Sequence, residues 1–120
     1  MATNFTPNKT GGNINPLPEP YEEMTANGAV PINHGLVWLN KDGVLAATIT
    51  SPPVAMNGAE LTILALTANA HTVTYSTTGF NSAGTAGDVA TFGGAVGDAM
   101  TIRAVAGVWY TVSLLNVTLG

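Results

Sequence analysis

The 120-residue sequence predicts an all-β fold, an antiparallel, jelly-roll-like β-sandwich behind an extended, proline-rich N-terminal arm. Three features predict it. Short runs rich in β-branched and aromatic residues recur at intervals of about 8–12 residues, split by Gly, Pro, Asn and Asp turn signals. Apolar and polar residues alternate in several of those runs. No stretch carries a convincing helical stripe, although residues 56–66 resemble one at first sight.

The chain divides near residue 26. Residues 1–25 contain Pro7, Pro16, Pro18 and Pro20, together with Gly11-Gly12. Proline and the residue before it both disfavour helix and favour extended backbone. Leu17, Tyr21 and Met24 are apolar without a regular period, so residues 1–25 read as an arm and residues 26–120 as the body. Such an arm is either a solvated tail or a segment that orders on a neighbour. Its spaced, large apolar residues favour the second.

In the body, residues 30–32 open the strand series and residues 35–39 form a short apolar run. Asn40-Lys41-Asp42-Gly43 reads as a hairpin turn, since Asp-Gly supplies positive φ. Residues 44–50 are then the returning strand, stopped by Pro52-Pro53. Residues 60–66 and 71–77 are expected to pair across Thr67-Ala68-Asn69-Ala70. The two-residue period puts Leu61, Ile63 and Ala65 on one face, and likewise His71, Val73 and Tyr75. A Gly, Ser and Ala loop carrying Phe80 leads to a strand at 88–92 and Gly93-Gly94. Residues 99–105 alternate again, with Met100, Ile102 and Ala104 opposite Thr101, Arg103 and Val105. Ala106-Gly107 turns the chain into residues 108–114, and residues 116–119 close it.

Charge is scarce. Only 8% of the residues are charged, against roughly 25% in an ordinary domain. From Ala26 onward the charged residues are Lys41, Asp42, Glu60, Asp88, Asp98 and Arg103. With a net charge of −4 and Lys9, Lys41 and Arg103 as the cations, neither nucleic acid nor an anionic membrane surface is an expected partner. Cysteine is absent, and oligomerisation is the usual substitute for disulfides in a small domain. The N-terminus shows no signal-peptide pattern, so synthesis in a cytoplasm is expected.

Catalytic constellations fail on residue supply. His34 and His71 have no carboxylate at a metal-binding spacing, and each is expected at a core edge or interface. Ser51, Ser76, Ser82 and Ser113 lack the context of an activated nucleophile. Asp88 and Asp98 form the only even acid pair in the body; both follow Gly and open a strand, where Asp caps its own turn. No enzyme activity, metal or cofactor is expected. Trp38, Trp109 and Tyr110 read either as a sugar-stacking platform or as core and interface anchors. The strand period puts Trp109 and Tyr110 on opposite faces, so one of them points away from the core.

The second half carries a familiar pattern: Asp88-Val89-Ala90-Thr91-Phe92-Gly93-Gly94, Gly97-Asp98-Ala99-Met100-Thr101-Ile102, Gly107-Val108-Trp109-Tyr110-Thr111-Val112-Ser113 and Asn116-Val117-Thr118-Leu119. With Ala70-His71-Thr72-Val73-Thr74 upstream, it resembles small β-rich capsid decoration (cement) proteins of tailed bacteriophages. The likeness covers residues 30–120 and leaves the arm out. It implies a homotrimer on the outer capsid surface of the virion, stapling neighbouring major capsid protein subunits. Similar modules occur in head fibres and tail-fibre tips, so a receptor- or carbohydrate-binding tip is the alternative. For the main reading, the capsid-binding residues are the arm residues Leu17, Pro18, Pro20, Tyr21 and Met24 with Glu22 and Glu23. Trp38, Tyr110 and Arg103 are the expected subunit contacts.

Overall fold

A computed structural model of the chain describes residues 21–120. Among the described residues, ten strands form two stacked sheets. They are β1 (Tyr21–Met24), β2 (Gly28–Ala29), β3 (Leu36–Leu39), β4 (Ala46–Thr48), β5 (Glu60–Ala65), β6 (Thr72–Thr74), β7 (Val89–Phe92), β8 (Ala99–Val105), β9 (Val108–Leu115) and β10 (Val117–Leu119). The first sheet runs β1-β3-β5-β8-β9 and the second β10-β7-β6-β4-β2. The expected all-β sandwich is the fold.

The expected antiparallel pairing holds only in the C-terminal half. Strands β1 to β6 alternate between the sheets, and each pairs in parallel with the strand two places on: β1 with β3, β3 with β5, β2 with β4, and β4 with β6. The N-terminal half is thus wound as a two-sheet coil of three turns. Asp42-Gly43 does not close a hairpin. Gly43, at φ 117°, lies at a corner where the chain leaves the first sheet for the second. Residues 66–71 likewise carry the chain from β5 to β6 in the other sheet. Six-residue connections span from sheet to sheet, whereas a tight hairpin needs a loop of about two.

The corners interrupt the ladders, and polar side chains take up the backbone groups left over. Asn27 Oδ1 accepts the Ala46 N–H at 2.9 Å, and His71 Nδ1 accepts the Leu45 N–H at 2.9 Å. The middle corner is therefore pinned from both sides. In the second half, β5–β8, β6–β7, β7–β10 and β8–β9 are antiparallel. Ala106 and Gly107, at φ 51° and 80°, make the two-residue turn between β8 and β9, as expected for a hairpin whose loop residues both take positive φ.

The core lies between the sheets. Trp109, Tyr75, Phe80, Phe92, Leu39, Leu45, Leu61, Ile63, Met100 and Ile102 are fully buried in it. Burial follows the two-residue period: Leu61, Ile63 and Ala65 point inward, as do Met100, Ile102 and Ala104. Burying a side chain of this size is worth roughly 1.5–3 kcal/mol, so this alternation fixes the register of each strand. Trp109 is buried and donates its indole N–H to the Thr50 carbonyl at 2.8 Å.

The boundary between arm and body falls earlier than residue 25. Tyr21–Met24 is already the edge strand β1, paired residue for residue with Leu36–Leu39. Leu17, Pro18 and Pro20 lie outside the described residues.

Candidate interaction surface

Strand register places the outward residues of the first sheet in rows. One row crosses five strands as Tyr21, Leu36, Thr62, Thr101 and Ser113. The next runs Glu23, Trp38, Leu64, Ala99 and Leu115. A third holds Glu60, Arg103 and Tyr110. On β3, β5 and β8 these residues alternate with buried neighbours, so the two-residue period that builds the core also builds this outer face. Leu36, Trp38, Leu64 and Ala99 are half-buried and Leu115 is exposed. The result is an apolar stripe across the sheet with ionic groups at its margins.

Trp38 does not stand free in that stripe. The Tyr21 ring stacks on it with centroids 3.9 Å apart and planes 18° from parallel. Around the β1 end, Asn40 Nδ2 donates to Glu23 Oε2 at 2.5 Å, and His34 Nδ1 lies 3.1 Å from Glu22 Oε2. At the other margin, Arg103 forms an exposed ion pair with Glu60. Tyr110 sits opposite Arg103 in the β8–β9 register.

The structure thus gathers Tyr21, Glu23, Trp38, Arg103 and Tyr110 on one face. It removes Met24 from the set. Met24 faces the interior beside Leu39 and is 8% exposed, because β1 pairs in register and its alternate residues point inward. Glu22 shares that inward phase but lies at the rim, where it meets His34.

The outer face of the second sheet differs in kind. Its rows read Thr118, Thr91, Thr72 and Ala46, then Val89, Thr74, Thr48 and Ala29. None of these eight residues is charged, and five of them are threonine.

The remaining candidates have structural positions. Asp98 is buried, and its Oδ2 accepts the Ala95 N–H at 2.9 Å while Asn116 Nδ2 donates to Oδ1 at 3.0 Å. Hydrogen bonds from the Ala95 backbone and the Asn116 side chain hold its carboxyl below the ordinary aspartate value, since they favour the charged form. It caps its own turn, as the Gly-Asp pattern suggested. His71 is fully buried. With Nδ1 accepting from Leu45, Nε2 carries the proton and donates to Thr67 Oγ1 at 2.9 Å; the Thr67 hydroxyl in turn donates to the Lys41 carbonyl at 2.8 Å. Burial pushes His71 below the ordinary histidine value; the Thr67 contact opposes the shift and the Lys41 charge adds to it. Among the described residues, no three His, Cys, Asp or Glu side chains gather at metal-holding distance.

The sequence reading missed three features of this surface. Tyr21 covering Trp38 depends on a parallel pairing that no local signal announces. Asn81, in left-handed backbone at φ 63°, accepts the Thr111 N–H at 2.8 Å and so blocks part of the β9 edge. Val112, Leu114 and Leu115 are exposed; the run Val112-Ser113-Leu114-Leu115 at the end of the expected 108–114 strand was their signal. The chain matches no family model and no curated protein.

Proposed function

We propose that this chain is a non-enzymatic virion protein, a decoration (cement) protein that binds the outer surface of a phage head and stabilises the major capsid protein lattice as a homotrimer. The observation that carries the reading is the apolar stripe Trp38, Leu64, Ala99 and Leu115 on the outside of the first sheet. A solvated monomer has no need of such a stripe, and apolar side chains left partly open side by side on an outer face mark contact with protein. The scarcity of charge supports the same reading, since the cores of protein interfaces are depleted in charged residues.

A clamp that touches several subunits stabilises a shell by mass action, because it binds the assembled state in preference to its parts. The face offers aromatic anchors, Trp38 and Tyr110, with Arg103 beside them; these residue types dominate binding energy at interfaces. Residues 1–20 extend the contact in this proposal, with Leu17, Pro18 and Pro20 leading into Tyr21 at the edge of the same face.

The rival reading, a glycan-stacking tip of a fibre, loses two of its supports. Trp109 is in the core, and Tyr21 occupies a face of Trp38 that a sugar ring would need.

Cosedimentation with purified phage heads tests the proposal. The native chain is expected to pellet with the heads, and Trp38→Ala or deletion of residues 1–20 to weaken attachment. A native chain that stays in the supernatant at every particle concentration overturns the role. Undiminished decoration by both variants overturns the assigned surface.

A further inference from the structure

We infer that the free edge of β9, residues 112–115, is a contact between copies of this chain. Among the described residues, the two sheets have four edge strands: β1, β2, β9 and β10. Proteins blunt such edges with charge, brevity or cover, because unpaired backbone groups recruit further strands. β1 carries Glu22 and Glu23, β2 has two residues and β10 has three. β9 is the longest strand at eight residues and has no charged side chain. Its early part is covered, since Asn81 takes the Thr111 N–H and donates its Nδ2 to Thr111 Oγ1 at 3.0 Å. That cover stops at Thr111.

Beyond it the strand changes phase. Ile102 pairs with Thr111 but Thr101 with Ser113, so Val112 is an extra residue bulged out of the ladder. Bulges of this kind bend the strand and re-aim its side chains. Val112 is 52% exposed, Leu114 39% and Leu115 64%, and on the same hairpin Val105 and Tyr110 are also exposed. Five of the eight exposed large apolar side chains among the described residues thus sit on this hairpin.

The charge map names the occupant. Each chain carries −4, so two copies meet at low cost only where no carboxylate faces another. Glu22, Glu23, Asp42 and Asp88 lie on other elements, Glu60 is paired with Arg103, and Asp98 is buried with its carboxylate bonded. Residues 104–120 hold no Asp, Glu, Lys or Arg. A second copy of the same segment matches it in polarity, and an antiparallel pair of β9 edges supplies partners for the remaining backbone groups in a self-complementary way. The contact is isologous and joins two copies, so it goes beyond the homotrimer of the proposed function, whose three-fold contacts are heterologous; its test uses no particles, so the two fail separately.

The test is the mass of the full chain in solution by light scattering at roughly 100 μM, a concentration that populates moderately tight complexes by mass action. A multiple of 12.2 kDa is expected. Leu115→Glu is expected to weaken association about tenfold or more and move the mass towards 12.2 kDa. Leu115 is exposed, so the variant keeps its fold, checked by circular dichroism and thermal melting. Val54→Glu, at an exposed position elsewhere, should leave the mass unchanged. A native monomer at that concentration, or a Leu115→Glu protein of undiminished mass, overturns the inference.

Discussion

Leu45 donates its backbone N–H to Nδ1 of His71 across 2.9 Å of buried space. The bond joins the corner after β3 to the corner after β5, so one imidazole holds successive turns of the coil in register. It also fixes the ring's chemistry. A protonated Nδ1 has no lone pair to offer Leu45, and the buried cation is further opposed by the charge of Lys41.

Acid should therefore loosen the fold through His71. Its folded-state value lies below the ordinary 6.5, so below that pH the unfolded chain binds more protons than the folded one. Stability is full above pH 6.5 and declines as the pH falls through 6.5 towards the folded value. Asp98 adds a second window: its lowered carboxyl contributes stability above 3.8 and loses it as the pH falls below that, through the folded value. Urea midpoints measured across these windows should show two separate declines. His71→Phe should abolish the upper one, and His34→Ala should leave it in place.

At neutral pH, His71→Ala removes the acceptor of a buried N–H and leaves a cavity. The expected cost is about 2–4 kcal/mol, read as a lower urea midpoint. A cost below about 0.5 kcal/mol would mean that the corner relaxes to satisfy Leu45 another way.

Gly79 is the position where backbone geometry and space combine. It lies at φ 71°, and a Cβ there would collide with the backbone carbonyl of Gly84. Gly58 has similar positive φ, 88°, but open space around it. Gly58→Ala should cost about 1 kcal/mol from strain alone. Gly79→Ala should cost at least about 2 kcal/mol more, because the loop that seats Phe80 must move. Equal melting temperatures for the two variants would contradict this.

Inward and outward faces were legible in the sequence because burial follows the two-residue period strand by strand. The alternation of Met100, Ile102 and Ala104 with Thr101, Arg103 and Val105 is reproduced residue for residue. The Ala106-Gly107 hairpin was legible because its two positive φ angles are local. The pairing partners of β3 and β4 were not. Asp42-Gly43 specifies a bend, and a bend serves a sheet-to-sheet corner as well as a hairpin. What decides between them is which face the next strand must bury, and that depends on β5 and β6, whose paired residues lie 26 positions beyond those of β3 and β4. The outer stripe was hidden for the same reason: Trp38, Leu64, Ala99 and Leu115 become neighbours only through the register. Single residues of that face, Trp38, Tyr110 and Arg103, were recognisable by type, but Met24 was misassigned because β1 was taken for arm.

The ion pair between Arg103 and Glu60 is exposed on both sides. Such pairs are worth about 0–1 kcal/mol, since water screens them and ordering two long side chains costs entropy. Arg103→Ala should therefore shift the urea midpoint by less than about 1 kcal/mol, with a double-mutant cycle against Glu60→Ala giving a coupling in the same range. A substantially larger coupling would show that the pair is shielded from water, which its exposure argues against.

The stack of Tyr21 on Trp38 offers the sharpest check on where the body begins. If β1 belongs to the sheet, its ladder with β3 holds Tyr21 over the indole in the free protein, before any partner is met. Tyr21→Ala should then cost about 0.5–1.5 kcal/mol for the lost aromatic pair and uncover Trp38. Trp109 lies at 0% exposure, so acrylamide quenching in the native chain should report one protected and one partly covered indole. In Tyr21→Ala the accessible component should rise while the protected one stays unchanged. The same substitution in a Trp38→Phe background should produce no rise, which assigns the signal to Trp38. Identical quenching in the native chain and Tyr21→Ala would mean that β1 is detached from β3 in solution, and the body would then begin downstream of Met24.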